Sequence, residues 1–414
     1  MNMSQETKSD SSKKGVWLLV LIASLGYFVD IYDLVIFSIV RINSFRDIGI
    51  PAEDMRTDGE YVLNMQMAGL LLGGIIWGII GDRYGRIKVL FGSILLYSLA
   101  NMANGLVQEI HQYAWIRFIA GIGLAGELGA GITLVSESMD KGKRGYGTML
   151  IAGIGVLGAI VAFYVAEHFN WRNAYFVGGG MGILLLLMRL GAFESHLFKQ
   201  GEEQSKWSKG NILMLFNNKE RFLRYLYCML IGLPIWFVVG IFITQAPEFG
   251  HALGSPTTLS AGEGIMFAYI GISLGDIFAG LFAQMTRSRK KAVLLFQILI
   301  LISSFLYLTS TGITQAQFKW LAFFMGLSVG YWATFVTISS EQFGTNLRAT
   351  VATTAPNFVR AALIPSTFLF EFLVGKWGII HAGMGVVVLL SLIAIFALSR
   401  LEETFDKDLN YWEE

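Results

Sequence analysis

Residues 78–88 read Gly78-Ile-Ile-Gly-Asp82-Arg83-Tyr-Gly85-Arg86-Ile-Lys88, a stretch that ends one apolar segment, 61–81, and begins another, 88–107. A helix needs about 20 mostly apolar residues to cross a hydrocarbon core of about 30 Å, and both segments reach this length. Charged side chains are expensive inside that core, so the chain leaves it at the four charges of this stretch. The pattern predicts two membrane-spanning helices joined by a short polar connection.

The composition of the whole chain agrees with a membrane protein. Of its 414 residues, 54% are hydrophobic and 15% are charged, and the mean hydropathy is +0.57. A soluble domain carries roughly 25% charged residues, and its core could not hide this much apolar surface. The net charge of +1 leaves no basic excess that would indicate a nucleic-acid partner.

Twelve stretches have the length and apolar character of a transmembrane helix, so we predict an all-α membrane protein with twelve transmembrane helices. The first stretch, of about 28 residues, is too long for a cleavable signal peptide and contains two aspartates, so we keep it as a span. The predicted spans are 16–43, 61–81, 88–107, 112–138, 146–168, 173–194, 223–247, 262–285, 291–310, 317–340, 350–374 and 379–400.

The distribution of cations predicts the orientation. With the N-terminus inside, 23 of the 31 Lys and Arg residues fall in cytoplasmic segments, six fall outside, and Arg117 and Arg360 fall within spans. Arg189, near the end of the sixth span, is counted among the cytoplasmic cations. Lys and Arg are retained on the cytoplasmic side. We therefore predict that both termini are cytoplasmic and that the protein lies in the inner membrane.

A long polar connection divides the spans six plus six. Glu137 and Arg144 after span 4 recur as Glu341 and Arg348 after span 10, with an offset of 204 residues both times. Parallel six-helix halves with a substrate site between them are typical of one large transporter architecture. We predict two pseudo-symmetric six-helix bundles. The predicted domains are an N-terminal tail (1–15), an N-terminal bundle (16–194), a cytoplasmic linker (195–222), a C-terminal bundle (223–400) and a C-terminal tail (401–414).

The stretch at 78–88 resembles the cytoplasmic loop motif of the major facilitator superfamily: glycine, three residues, Asp-Arg, one residue, Gly-Arg. A carboxylate at a helix end can cap a neighbouring helix, and the cations can contact phosphates or the opposite half. The resemblance implies an inner gate that holds the outward-open state. The alternative is an ordinary charged loop. In the second half, Gln284 stands where Asp82 would fall. The predicted gate residues are Gly78, Asp82, Arg83, Gly85, Arg86, Glu137, Arg144, Glu341 and Arg348.

Further segments resemble particular branches of this superfamily. Arg117 to Gly121 matches the Arg-x-x-x-Gly element of proton-coupled members, and Gly126-Glu127-Leu-Gly129 is similar to the metabolite:proton symporter branch. The segment Asp30-Ile-Tyr-Asp33 is similar to aromatic-acid and phosphate symporters, where these positions carry proton coupling. The resemblance therefore implies a proton-coupled transporter, and no nucleophile, metal or nucleotide constellation in the sequence supports an enzyme.

Three carboxylates lie at comparable depths in the predicted spans. At 1.5 Å per residue, Asp30 is about 21 Å from the cytoplasmic start of span 1, and Glu127 is about 16 Å from the cytoplasmic end of span 4. Ionisable groups persist at such depths mainly where they pair or line water. Asp30, Asp33 and Glu127 are the predicted proton-coupling residues. The alternative is a buried structural ion pair such as Asp33 with Arg117.

Span 11 places a guanidinium deep in the second half. Arg360 is about 15 Å from the cytoplasmic end of the span, and arginine suits bidentate binding of a carboxylate or phosphate. The alternative is a structural role as the partner of Asp276 or of a backbone carbonyl. The predicted substrate-binding residues are Arg360, Arg117, Asn357, Tyr27, Tyr32, Trp236, Gln245, Tyr331 and Trp332.

Other motifs predict packing and exclude several chemistries. Gly153-Ile-Gly155-Val-Leu-Gly158 is a literal G-x-G-x-x-G, but no strand can precede it within a membrane span, so we interpret it as a close helix contact. Cys228 is the single cysteine, and the five histidines have no ligand spacing. The sequence therefore predicts no metal site and no cofactor.

These expectations combine into a secondary transporter that moves a small organic anion with protons by alternating access. Its predicted partners are the small-molecule substrate, protons and the lipid bilayer, and we expect a monomer. A sugar or polyol symporter would need the acids but not Arg360, whereas a cation transporter would use the acids as direct ligands. A non-transporting membrane sensor is the alternative from another class.

Overall fold

The computed structural model of the protein describes the backbone of residues 3–84, 86–127, 144–193, 214–405, 407, 412 and 413. Side chains are described in the same ranges, except at residues 3–16, 18, 19, 81–87, 144–150, 152, 153, 191–193, 345 and 349. The regular structure in these ranges is helical, and they contain no β-strand.

The described part of the first half contains six helices, and each overlaps one predicted span. They are α1 (Met3–Asp47), α2 (Met55–Tyr84), α3 (Arg86–Asn104), α4 (Ile110–Leu124), α5 (Arg144–His168) and α6 (Trp171–Phe193).

The second half contains shorter and more interrupted helices in its described ranges. They are α7 (Met214–Asn217), α8 (Lys219–Leu230), α9 (Leu233–Phe237), a π-helix (Val238–Ile243), α10 (Ala246–Ala252), α11 (Ala261–Thr286), α12 (Arg289–Leu308), α13 (Gln315–Val329), α14 (Trp332–Glu341), α15 (Thr345–Ala361) and α16 (Leu363–Arg400). Gly378 interrupts α16 with a φ of 74°, in the left-handed region that glycine adopts readily.

Eight helical runs of the described chain are long and apolar enough to cross a membrane. One of them, Asn346–Arg400, has 55 residues and covers the last two predicted spans, on either side of Gly378. The predicted spans that these runs leave out coincide with α3, α4 and α5. The protein is therefore an integral membrane protein.

Two helical runs are interrupted near the interior of the molecule. A two-residue turn separates α8 from α9, which carries Pro234 in its first turn, where the missing amide hydrogen costs nothing. Gly330 and Tyr331 separate α13 from α14, so the first amides of α14 lack helical partners. Within a membrane such breaks are tolerated only where protein groups or a cavity satisfy the backbone.

Glycines let α1 pack closely against α5. A β-carbon on Gly158 would collide with the carbonyl oxygen of Phe28, and one on Gly155 would collide with the ring of Tyr27. Small residues allow this approach of two helix backbones. The contacts confirm the packing interpretation of the glycine motif for these two residues.

The two halves meet along their interior helices. In the described chain α2 contacts α15, and α5 and α1 contact α11. Gly74 on α2 faces the amide group of Asn357 on α15. A β-carbon on Gly74 would lie 3.0 Å from the Asn357 side-chain nitrogen. Side chains from α1, α5, α11 and α15 can therefore reach one shared interior space.

Candidate functional site

A cavity lies between the two halves, and the space inside it that water-sized molecules can occupy is about 50 Å³. Most of the lining is aliphatic, from α1, α5 and the interrupted helices of the second half. The aromatic and polar lining consists of Tyr27, Trp236, Tyr269, Asp276, Trp332 and Arg360.

Arg360 brings a buried cation to this cavity. Its side chain is 5% exposed, and the guanidinium carbon lies 5.5 Å from the ring centre of Trp236 and 5.4 Å from that of Trp332. Aromatic faces attract a guanidinium without consuming its N–H donors. Nη1 donates a hydrogen bond to the side-chain oxygen of Asn357 at 3.2 Å, and Nε has no partner. Among the described residues, no carboxylate lies within 4.0 Å of Arg360 to neutralise it.

Asn357 connects Arg360 to the first half. Its amide nitrogen donates a hydrogen bond to the carbonyl oxygen of Ala125, just after α4, at 3.4 Å. The same side chain accepts the hydrogen bond from Arg360 and faces Gly74. Any motion of α15 relative to the first half must therefore change the surroundings of the guanidinium.

Asp276 is the acid of the second half that reaches the cavity. Oδ1 accepts a hydrogen bond from the backbone amide of Ala333 at 2.9 Å, so the carboxylate satisfies one of the free amides at the start of α14. An ion pair between Asp276 and Arg360 was the structural alternative for the arginine. No such pair is present within 4.0 Å between these two described residues.

Asp33 and Arg117 form a buried pair away from the cavity lining. Both side chains are 0% exposed, and Arg117 donates to the Asp33 carboxylate at 2.9 Å and to its backbone carbonyl at 2.8 Å. A third hydrogen bond goes from Arg117 to the side-chain oxygen of Asn101, at 3.1 Å. This is the ion pair that was the structural alternative for Asp33, and it leaves Nε of Arg117 without a hydrogen-bond partner.

Glu127 is paired with Arg189 in a bidentate arrangement. Both side chains are 2% exposed, and Gly26 on α1 leaves the space in which the pair sits. Counting Arg189 with the cytoplasmic cations was wrong. Its neighbours Met188 and Leu190 take the exposed side of α6, so Arg189 points into the bundle, where Glu127 compensates its charge.

Asp30 has no such partner. Its side chain is 6% exposed, and Oδ1 is buried without a hydrogen bond. Glu127, Arg189, Asp33 and Arg360 all lie within electrostatic range of it. Of the three predicted proton-coupling acids, Asp30 is thus the one that no described cation neutralises directly.

The remaining predicted binding residues are divided between the cavity and other positions. Tyr27, Trp236 and Trp332 line the cavity. Tyr32 donates from its hydroxyl to the carbonyl oxygen of Ala174 at 2.8 Å, and Tyr331 donates in the same way to Ile231 at 2.8 Å. Neither of these two hydroxyls belongs to the cavity lining.

Gln245 belongs to a cluster that sequence reasoning missed, at the ends of α1 and α2 away from the predicted cytoplasmic side. Its amide donates to Glu60 at 2.6 Å, and Thr244 donates to Ser38 at 3.0 Å.

Arg41, 1% exposed, donates to Glu248 at 2.8 Å and to the carbonyl oxygen of Thr244 at 3.1 Å. Arg56 also pairs with Glu371. We call these residues the outer cluster; only the cation at the end of α1 hinted at it in the sequence.

The predicted inner gate is partly visible. Gly78 lies within α2 with open space where a β-carbon would be, and Glu341 pairs with Arg289 at 2.7 Å. Arg348 lies in the first turns of α15. Gly85 and Glu137 lie outside the described residues, as do the side chains of Asp82, Arg83, Arg86 and Arg144.

Glu403 caps the start of α12, at the end of the molecule predicted to be cytoplasmic. The carboxylate accepts hydrogen bonds from the Ser288 hydroxyl and from the backbone amides of Arg289, at 3.0 Å, and Lys290, at 3.3 Å. Burial raises the pKa of Glu403, but these hydrogen bonds outweigh it, so the pKa is below its usual value. The second half therefore has an acid at the start of α12, beside the segment in which Gln284 replaces the aspartate of the loop motif.

Residues 16–365 of the chain match the family model of the Major Facilitator Superfamily. It belongs to this superfamily. The crystal structure of a D-xylose-proton symporter has a TM-score of 0.69 at 16% identity and covers 95% of this chain and 100% of its own. The family match establishes the superfamily, and the structural match shows the same fold.

Two relatives are named for the compound that they transport. The sialic acid transporter of Escherichia coli is 28% identical over 296 residues, which is 69% of this chain and 68% of the relative. The benzoate transport protein of Acinetobacter baylyi is 28% identical over 179 residues, which is 41% of this chain and 38% of the relative. This superfamily member therefore has relatives named for acids.

Proposed function

We propose that this protein carries a small organic anion across the cytoplasmic membrane together with protons, by alternating access. The observation that carries the proposal is Arg360, a buried guanidinium that faces the cavity with free donors and no carboxylate partner among the described residues. An unpaired buried charge is costly, so a bound anion would stabilise this site. The names of the sialic acid and benzoate relatives support a carboxylate as the cargo.

The proposal includes the arrangement in the membrane. Twelve spans form two six-helix bundles, 16–194 and 223–400, joined by a cytoplasmic linker at 195–222, with tails at 1–15 and 401–414 in the cytoplasm. The chain works as a monomer, since one chain contains both halves of the cavity. Its inner gate comprises the loop residues from Gly78 to Arg86, the pair Glu137 and Arg144, and the pair Glu341 and Arg348. The Glu341–Arg289 ion pair supports this assignment.

Proton coupling is assigned first to Asp30. Its carboxylate is buried without a hydrogen bond at Oδ1, within electrostatic range of both Arg360 and the Glu127–Arg189 pair. Protonation of Asp30 and binding of an anion at Arg360 would therefore affect each other. Asp33 pairs with Arg117, and Glu127 pairs with Arg189. The charges of these two pairs contribute to the electrostatic potential at Asp30.

The test combines ligand binding with transport. Purified protein is titrated with benzoate, N-acetylneuraminate, xylose and choline, and each compound that binds is offered to proteoliposomes with a pH gradient. We expect an acid to bind and to accumulate. Binding of xylose or choline alone would favour the sugar or cation alternative, and binding without flux would favour the sensor.

Arg360→Lys tests the residue itself. Lysine keeps the positive charge but not the bidentate geometry, so carboxylate affinity should fall about tenfold or more, equivalent to roughly 1.4 kcal/mol. Arg46→Lys, an exposed position at the end of α1, is the matched control and should bind like the unmodified protein. Unchanged affinity in Arg360→Lys would contradict the proposed function.

A further inference from the structure

The cavity contains a second charged group that the proposed function does not use. Asp276 on α11 lines the same space as Arg360 on α15. In the described chain, no cation lies within 4.0 Å of the Asp276 carboxylate. The cavity wall therefore presents a cation and an anion at two separate points.

A structural contact holds Asp276 in place without exhausting it. Oδ1 accepts the backbone amide of Ala333 at 2.9 Å, which fixes the carboxylate beside the start of α14. A carboxylate offers about four lone-pair positions, and the backbone amides of Ala333 and Trp332 use at most two of them. The group can therefore accept further hydrogen bonds from a molecule inside the cavity.

The wall between the two charges is apolar. Ile31, Ile272 and Val329 contribute aliphatic surface, and Trp236 and Trp332 contribute aromatic faces. A fully polar cargo would lose its hydration along this wall without replacement hydrogen bonds. The surface fits a cargo with an apolar or flat body and polar groups at its edges.

We propose that Asp276 accepts a hydrogen bond from the cargo, so that the transported anion carries a hydroxyl, amino or protonated nitrogen group in addition to its carboxylate. Asp276 is then a specificity-determining residue. The inference rests on the proposed function, because it needs the carboxylate of the cargo at Arg360.

The experiment compares ligands that differ only in the donor. The probes are benzoate, its 3- and 4-hydroxy derivatives, the corresponding methoxy derivatives, and 3- and 4-(aminomethyl)benzoate, titrated on the purified full-length protein. Hydrogen bonds to a charged acceptor are stronger than neutral ones, so at least one donor-bearing acid should bind about tenfold more tightly than benzoate. The methoxy acids, which fill similar space without a donor, should show no such gain.

Asp276→Asn assigns the gain to this residue. Asparagine keeps an oxygen for the Ala333 amide but removes the charge, so the affinity ratio between the donor-bearing acid and benzoate should fall several-fold. The ratio is insensitive to a general loss of folded protein. Glu263→Gln makes the same chemical change on the same helix, in a residue that pairs with Lys319, and should leave the ratio unchanged.

The outcomes separate the two proposals. If no acid binds, the proposed function fails. If acids bind in an Arg360-dependent way but the hydroxy, methoxy and aminomethyl acids show equal affinities, only the role of Asp276 is overturned. An equal ratio in the unmodified protein and in Asp276→Asn overturns it as well. Should Asp276→Asn not survive purification, the hydroxy and methoxy acids compared on the unmodified protein decide: equal affinities overturn the inference, and a tenfold gain supports it.

Discussion

Three buried arginines of this protein are stabilised in two different ways. Arg117 and Arg189 donate to Asp33 and Glu127, and each pair is nearly or fully inaccessible. Arg360 instead lies between two aromatic faces, an interaction of about 0.5–2 kcal/mol that leaves N–H groups free. Arg117 and Arg189 thus each have a carboxylate partner, whereas Arg360 has none among the described residues. This difference is the reason for proposing Arg360 as the anion-binding residue.

Asp30→Asn should separate proton coupling from substrate binding. Without a titratable group at this position, benzoate should no longer accumulate in proteoliposomes under a pH gradient, whereas exchange of benzoate across the membrane should persist, since exchange needs no net proton movement. Radiolabelled uptake and counterflow measure the two activities. Asp47→Asn, at the exposed end of the same helix, is the control. Normal gradient-driven accumulation in Asp30→Asn would remove this residue from the coupling mechanism.

The sequence predicts how deep in the membrane a residue lies, but not on which side of its helix the interior of the protein is. The depth of Arg360 and of the three acids followed from counting residues along a span. Neighbouring residues of a helix differ by about 100° in direction, and the partner helix decides which direction is interior. Tyr331 and Gln245 were therefore expected at the cavity, although they bond to Ile231 and Glu60 instead. Arg189 could not be recognised as a partner of Glu127 for the same reason.

At the scale of elements, the contact between α1 and α5 depends on the absence of side chains. Gly158 brings its backbone against the carbonyl oxygen of Phe28, and Gly155 accommodates the ring of Tyr27, which lines the cavity. The packing of these two helices therefore sets the position of a cavity side chain. A change in their separation should affect both stability and binding.

Gly158→Ala should destabilise the protein by about 1–3 kcal/mol, because the added methyl group forces α1 and α5 apart. Thermal unfolding in detergent measures the effect as a lower melting temperature. Gly180→Ala on α6 is the matched control, since a β-carbon there meets no atom within 4 Å. That control should be neutral or slightly stabilising, as alanine favours helix over glycine. Equal melting temperatures for the two variants would show that α1 and α5 can separate at no cost.

Element lengths could be predicted, whereas element breaks could not. The thickness of the hydrocarbon core imposes long apolar runs, and these are legible in the sequence. At the break between α13 and α14, the backbone amide of Ala333 donates a hydrogen bond to Asp276, which lies 57 residues earlier in the sequence. Pro234 marks the start of α9 in the sequence, but no comparable residue marks the start of the π-helix from Val238 to Ile243.

At the scale of the whole molecule, the outer cluster joins the two halves. Arg41 on α1 is held by Glu248 and by the backbone of Thr244, and Glu60 on α2 is held by Gln245. These contacts bridge the two halves at the end of the molecule opposite the predicted inner gate. In the proposed alternating-access cycle, they must break when the cavity opens on this side.

Glu248→Gln should shift the equilibrium toward the outward-open state. Loss of a partly buried ion pair costs about 1 kcal/mol, which corresponds to a several-fold change in population. Leu34, which lines the cavity, is replaced by cysteine in a Cys228→Ser background, and its reaction with an impermeant thiol reagent added outside is timed. We expect faster labelling than with the exposed control Glu167→Gln. Identical rates would mean that the ion pair does not hold the cavity closed.

The position of Arg360 between two tryptophans has an optical consequence. Indole emission responds to nearby charge, and Trp236 and Trp332 lie within about 5.5 Å of a guanidinium whose charge an arriving anion would balance. At the proposed site, two of the ten tryptophans of the chain would therefore change their electric environment when an anion binds. Their emission would report occupancy of that site in real time without an attached dye.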